Sequence, residues 1–292
     1  MDLSALYGLA LIYERWTDLQ YSVIKSGALV MDVKPRRSIP FALAIIFYLG
    51  VMNSIAFTAD NRATVTAVSA DLCGEMIRHK TLTEKGPVSC SRLVLIKFSY
   101  FGFDNAAHSD GEIIVLDAAA QHVAAIFDTL LDRHFPIAKA RLMNHYDGDD
   151  DAADVDNNTS SFNDRVVAGT NTLSLHAYGL AIDLNPVQNP FIQIAAGKPA
   201  VSPDEGKQYL DRKVPKPGMA ETVIDIFTDN GFSIWGGDWH NPIDYQHFQV
   251  SRALAQQLSQ ASATNARAIF EQHVEQYRRC RRSGRSRQDC QL

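Results

Sequence analysis

His176 and Asp183 lie in Ser-Leu-His-Ala-Tyr-Gly-Leu-Ala-Ile-Asp-Leu (174–184), and His247 in Trp-Gly-Gly-Asp-Trp-His-Asn-Pro-Ile-Asp-Tyr-Gln-His-Phe-Gln (235–249). These are the residues whose types and spacing best suit chemistry. A catalytic zinc takes three protein ligands, drawn from neutral imidazole and carboxylate, and keeps a fourth position open. His176, Asp183 and His247 meet that count. Asp244 precedes His247 by three residues and offers a carboxylate able to take a proton from a water beside the ion. His240 is a rival ligand by proximity, but Pro242 between it and His247 argues for a loop. The other histidines, at 79, 108, 122, 134, 145 and 273, have no comparable company.

Strand parity suggests how the groups converge. Leu180, Ile182 and Leu184 alternate with Ala181 and Asp183, so a strand here buries the aliphatic residues on one face and turns Asp183 to the other. His176 precedes Gly179, where the chain is free to bend back toward that second face. Tyr245, His247 and Gln249 share one face of a second short strand. Asp244 has the wrong parity for that face and is expected at the strand's entrance, beside the metal and outside its ligand set.

On these motifs, the segment from about His108 to Gln249 resembles the zinc peptidases that cut peptidoglycan stem peptides. That group includes the D-alanyl-D-alanine carboxypeptidases and dipeptidases and the L-alanyl-D-glutamate endopeptidases of phage endolysins. The family's Ser-x-His-x-x-Gly-x-Ala-x-Asp-Leu pattern is met at Ser174, His176, Gly179, Ala181, Asp183 and Leu184, and its acid-x-x-His element at Asp244 and His247. Trp-Gly-Gly-Asp-Trp, Asn157 to Arg165 and Asn185 to Pro190 look most like the endopeptidase branch. Many members carry Glu as the base; the Asp at 244 matches the endolysin branch.

The resemblance implies Zn2+-assisted amide hydrolysis, with stem peptides as the partner and either endopeptidase or D,D-carboxypeptidase specificity. It gives Asp244 the general acid–base role. A cation is needed for the oxyanion or a substrate carboxylate: Arg165 is the first choice, and Arg141, on an expected strand from Ala140 to Met143, the second. Ser174 is expected to orient a ligand or its backbone. Trp235 and Trp239 are expected to line the cleft, with core packing for at least one of them. The alternative is a non-catalytic zinc-binding module of the same fold, as in Hedgehog-type signalling domains; the retained Asp244 favours catalysis.

The chain's 292 residues are 46% hydrophobic and 21% charged, ordinary for a globular enzyme domain with appendages. Net charge is -5, yet residues 278–292 carry six arginines against Asp289, so the body is acidic and nucleic acid is an unfavoured partner. The arginine tail could touch anionic envelope polymers or lipid headgroups, or be a solvated helix end. Lys34, Arg36 and Arg37 precede an apolar run from Ile39 to Phe57, with small residues at Ser54 and Ala56. This reads as a cleaved export signal, with Met31 as an alternative start, or as a membrane anchor. Either places the protein in the periplasm or cell envelope. Cys73 with Cys90 and Cys280 with Cys290 permit two local disulfides in such a compartment; free thiols remain the alternative.

The expected fold is α+β, a small antiparallel sheet with flanking helices around a mononuclear zinc site. Four regions are anticipated: 1–56, the extension with its signal or anchor; 57–108, a wrapping region; 109–252, the peptidase domain; and 253–292, a terminal helix with the Arg-rich tail. Strands are expected at 92–99 and 112–116, and an amphipathic helix at 118–133 with Val123, Ile126, Phe127 and Leu130 inward. The acidic stretch 147–156 superficially matches a calcium loop. It lacks the Gly and final Glu of an EF-hand and reads as a solvated loop. Residues 199–217 read as a loop, 220–230 as a helix stopped by Gly231, and 253–282 as one long helical region.

Overall fold

Aliphatic and aromatic residues along β2 (Leu93–Phe101) and β3 (Ala107–Leu116) pair antiparallel, and β1 (Thr64–Ala67) adds an edge, giving the order β1-β2-β3. The computed structural model describes residues 62–195 and 197–291. The expected export signal or anchor lies outside the described residues, among which no helix is long and apolar enough to cross a membrane.

Helix α1 (Ala70–Arg78) follows β1, N-capped by Ser69, and is stapled by the Cys73–Cys90 disulfide. Helix α2 (Ala120–Asp132) lays Val123, Ile126, Phe127 and Leu130 on the first sheet at the anticipated spacing, none more than 1% exposed. Phe127 stacks on Phe98 with ring centroids 3.8 Å apart. Burying side chains of this size contributes roughly 2 kcal/mol each, which makes this layer the rigid back of the molecule.

Two further three-stranded antiparallel sheets carry the chemistry. One has the order β4-β9-β7, from β4 (Ala181–Asp183), β7 (Ile234–Trp235) and β9 (His247–Gln249). The other has the order β6-β5-β8, from β5 (Phe191–Ala195), β6 (Lys198–Ser202) and β8 (Ile243–Asp244). Small antiparallel sheets with flanking helices make the α+β class anticipated. One continuous apolar core contains Met76, Ile113, Ile182, Phe248 and Phe270. Helix α1 and the terminal helices therefore pack onto the same interior as the motif strands.

Several local expectations are corrected. Residues 140–143 form no strand: the Asn158 side chain accepts from Arg141 N and donates to Arg141 O, occupying the groups a ladder would use. The acidic stretch contains a helix, α3 (Asp150–Val155), because the Asp149 side chain caps Ala152 N and the acids of its first turn suit the positive end of the helix. Residues 199–217 include most of β6 and a helical turn, Asp204–Tyr209. The expected helix 220–230 is a turn, Ala220–Thr222, followed by the short α4 (Ile224–Thr228). The long terminal helix is two, α5 (Arg252–Gln260) and α6 (Ala263–Arg282), because Ser262 starts a new helix by accepting from Asn265 N. Arg92 fixes the junction: it pairs with both oxygens of Asp117 and donates to the carbonyls of Leu258 and Ala261. Arginine at these final carbonyls favours the helix end electrostatically.

Candidate metal centre

Asp183 and His247 are direct register partners across the antiparallel pair β4–β9. Such partners hold their Cβ atoms about 5 Å apart on one face, close enough for carboxylate and imidazole to meet. His247 Nδ1 lies 2.8 Å from Asp183 Oδ1. The strand is fixed underneath by Leu180, Ile182, Leu184 and Phe248, all fully buried.

His176 arrives from a helical turn, Leu175–Tyr178, between two anchors. Ser174 opens the turn, its hydroxyl accepting from His176 N at 3.3 Å. Gly179 closes it at φ 64°, where Leu116 N donates to Gly179 O. A Cβ at Gly179 would sit 2.7 Å from Leu116 N, so both the left-handed backbone and the close approach to β3 require glycine. His176 Nε2 then lies 3.0 Å from Asp183 Oδ2 and 3.2 Å from His247 Nδ1. One ligand atom from each of His176, Asp183 and His247 lies within 4.8 Å of the others, and all three residues are buried.

The outer partners of the two histidines fit a metal. His176 Nδ1 donates to the carbonyl of Ser161 at 2.5 Å, and His247 Nε2 to Gln249 Oε1 at 2.8 Å. Each imidazole thus turns its other nitrogen toward the shared space, the arrangement that fixes a ligand's tautomer. The Ser161 carbonyl is placed by the segment 157–165, which bridges Ser160 to Asp183 and Phe162 to Ile114. Three convergent N and O donors suit zinc's borderline chemistry.

Charge follows from this geometry. Burial works against the charge of Asp183, but both imidazoles outweigh it and hold the carboxyl below its usual range. Burial also opposes a charged His247, and the attraction of Asp183, its hydrogen bond and the charge of Asp244 lift it to about 9. Asp244 behaves oppositely. It belongs to β8, paired with Phe191 on the other sheet, which explains why parity separates it from the ligands. Burial raises its carboxyl to about 7; His247 and Arg165 pull it down, while Asp183 pushes it up. Asp244 Oδ1 is buried with no hydrogen-bond partner.

The remaining expected residues divide. Arg165 lies near enough to influence Asp244 and ion-pairs with Asp150 of α3. Arg141 is exposed, and its charge acts on Tyr100, Tyr146 and Asp156. Trp239 is half-buried with its ring centroid 5.5 Å from that of His247. Trp235 is a core residue, stacked with Phe248 and donating from Nε1 to Tyr245 O. The rival His240 is exposed and outside the cluster.

Asp154 was not singled out by sequence. Burial raises its carboxyl well above the usual range, reinforced by the charges of Asp183 and Asp244, although Gln246 Nε2 donates to it at 3.3 Å. The only signal was an acidic run, which is more often solvated; its four-residue spacing from Asp150 becomes meaningful once the run is known to be helical.

Residues 168–250 match the family profile described as D-alanyl-D-alanine carboxypeptidase. The matched segment holds all three cluster residues, Ser174, Asp244, Trp235 and Trp239, and it is therefore similar to a peptidase over its chemically loaded part. Comparison with curated proteins and with solved structures yields no match.

Proposed function

We propose that the protein is a zinc-dependent peptidase that hydrolyses an amide bond in peptidoglycan stem peptides, in the periplasm or cell envelope. One observation carries the reading: a buried His176–Asp183–His247 cluster with a buried, unpartnered carboxylate oxygen of Asp244 beside it. A purely structural zinc site closes its coordination with four protein ligands, whereas this one offers three. When bound, the ion supplies Lewis acidity toward the scissile carbonyl and the attacking water.

The chain's own residues do the rest. His176 and His247 are held by Ser161 O and Gln249 Oε1 so that each presents its other ring nitrogen to the shared space, and Asp183 supplies the negative charge. Asp244, raised to about 7 by burial, is poised near neutral pH to take the water's proton and return it to the leaving amine. Arg165, paired with Asp150 at the edge of the site, is the cation for a substrate carboxylate or the oxyanion. Trp239 forms an apolar wall beside His247. The basic-then-apolar segment before residue 57 and the disulfides Cys73–Cys90 and Cys280–Cys290 support export to an oxidising compartment.

The matched profile's description supports D,D-carboxypeptidase action, and the Trp-Gly-Gly-Asp-Trp run supports the endopeptidase branch. Digesting defined muropeptides with the purified zinc-loaded protein and weighing the products separates them. Loss of terminal D-alanine gives the first, and cleavage between L-alanine and D-glutamate the second. Intact muropeptides with zinc bound would leave a non-catalytic zinc module.

A further inference from the structure

Beyond the matched segment, α6 ends in a loop closed by Cys280–Cys290, whose sulfurs lie in a small buried cluster with Tyr277. Several arginines of this tail bind locally: Arg279 and Arg282 pair with Glu275, and Arg281 donates to Arg285 O. Arg278 donates to Asp229 O, at the end of α4. Arg287 turns inward instead. Its guanidinium pairs with both oxygens of Asp238, with Nη2–Oδ1 at 2.7 Å, and lies 5.6 Å from the Trp235 ring centroid. Gln288 Nε2 adds a bond to Asp238 Oδ1 at 3.3 Å. Both charged side chains are at most 20% exposed, so the pair is a partly desolvated fork of the geometrically specific kind.

Asp238 ends a tight turn, Gly236–Asp238, built to press on the site. A Cβ at Gly236 would lie 2.5 Å from Asp244 O and 2.9 Å from Asp244 Cβ; a Cβ at Gly237 would enter the Trp235 ring. The turn therefore rests directly on Asp244, and the next residue, Trp239, stands against His247. We propose that Arg287 is a positioning residue: the disulfide-closed C-terminal loop grips Asp238, seats the Gly236–Asp238 turn on Asp244, and holds Trp239 against the metal-binding face. The kinetic consequence rests on the peptidase reading; the positional one does not.

The test compares Arg287→Ala, Arg287→Lys and Asp238→Asn in the full protein, with Arg285→Ala as a control that removes a charge from the same loop. Hydrogen exchange of residues 235–245, bound zinc and stem-peptide kinetics are read together. Arg287→Ala and Asp238→Asn should speed exchange locally, retain zinc, and lower kcat on the order of 10- to 100-fold, because small misplacements of a catalytic group are costly. Arg287→Lys, which keeps the charge and loses the fork, should fall between. Arg285→Ala should match the parent protein. Exchange of residues 235–245 left unchanged in both Arg287→Ala and Asp238→Asn overturns the proposal, as does exchange raised evenly over the whole chain. If exchange responds as expected and the parent cleaves no stem peptide, the clamp stands and the peptidase reading falls.

Discussion

Asp183 is buried and Asp244 buries a carboxyl oxygen, yet the two end up in opposite electrostatic states. Asp183, on β4, lies within 3.0 Å of two imidazoles and is held charged; Asp244, on β8, has an oxygen with no partner and is pushed to about 7. Burial raises the pKa of each, so pairing decides the outcome. The sheet β4-β9-β7 places a carboxylate opposite a histidine in register, the ligand of the proposed site. The neighbouring sheet β6-β5-β8 delivers a carboxylate with an unpartnered oxygen, the proton carrier of the proposed reaction.

The sharpest way to break this comparison is to neutralise each acid. Asp183→Asn should lose tight zinc binding and all hydrolysis, since the negative charge is gone and one of the two oxygens that face the imidazoles becomes an amide nitrogen. Asp244→Asn should keep zinc, measured by metal analysis, and lower turnover by about 10²–10⁴-fold, the usual worth of a general base. Equal zinc loss in both variants would put Asp244 in the ligand set instead.

A second contrast is in pH. His247 lies at about 9 without metal and must give up a proton to bind it. Between pH 7 and 9, zinc uptake should therefore release a proton, and apparent affinity should weaken about tenfold for each unit the pH falls. Calorimetry in buffers of different ionisation enthalpy measures this directly. For Asp244 the dependence has the same sign: the charged form is the base, so kcat/KM should rise with pH up to about 7, and bound zinc, being cationic, should move that limb lower. Asp244→Asn should flatten it.

The smallest effect sharpens the placement of His176. Ser174→Ala removes one cap hydrogen bond, worth about 1 kcal/mol, and should lower the melting temperature by a few degrees while zinc stoichiometry is kept. Buried ligands with a rigid β4–β9 base predict no larger loss.

Much of the site was legible locally. The 3.6-residue period of α2, the apolar runs of β2 and β3, and the Ser-x-His-x-x-Gly-x-Ala-x-Asp spacing are short-range patterns, and each corresponds to an element found in the structure. What failed was decided partly by distant partners. Residues 140–142 form no ladder because the Asn158 side chain takes the backbone groups of Arg141, whereas the acidic run is helical through a local signal, the Asp149 cap. The sequence ranked Arg165 before Arg141, and in the structure the charge of Arg165 acts on Asp244.

Sequence by itself determined the donor set, since imidazole and carboxylate chemistry belongs to the residues wherever they are placed, and it determined that Asp244 and His247 differ in parity. Tertiary structure decided the rest. It set Asp183 opposite His247, supplied Ser161 O and Gln249 to fix the two ring tautomers, brought Asp154 from a distant helix, and turned Arg287 of the tail inward onto Asp238. The physical reason is range: propensity and periodicity act over a few residues, whereas desolvation and charge pairing depend on which distant segments share one buried volume.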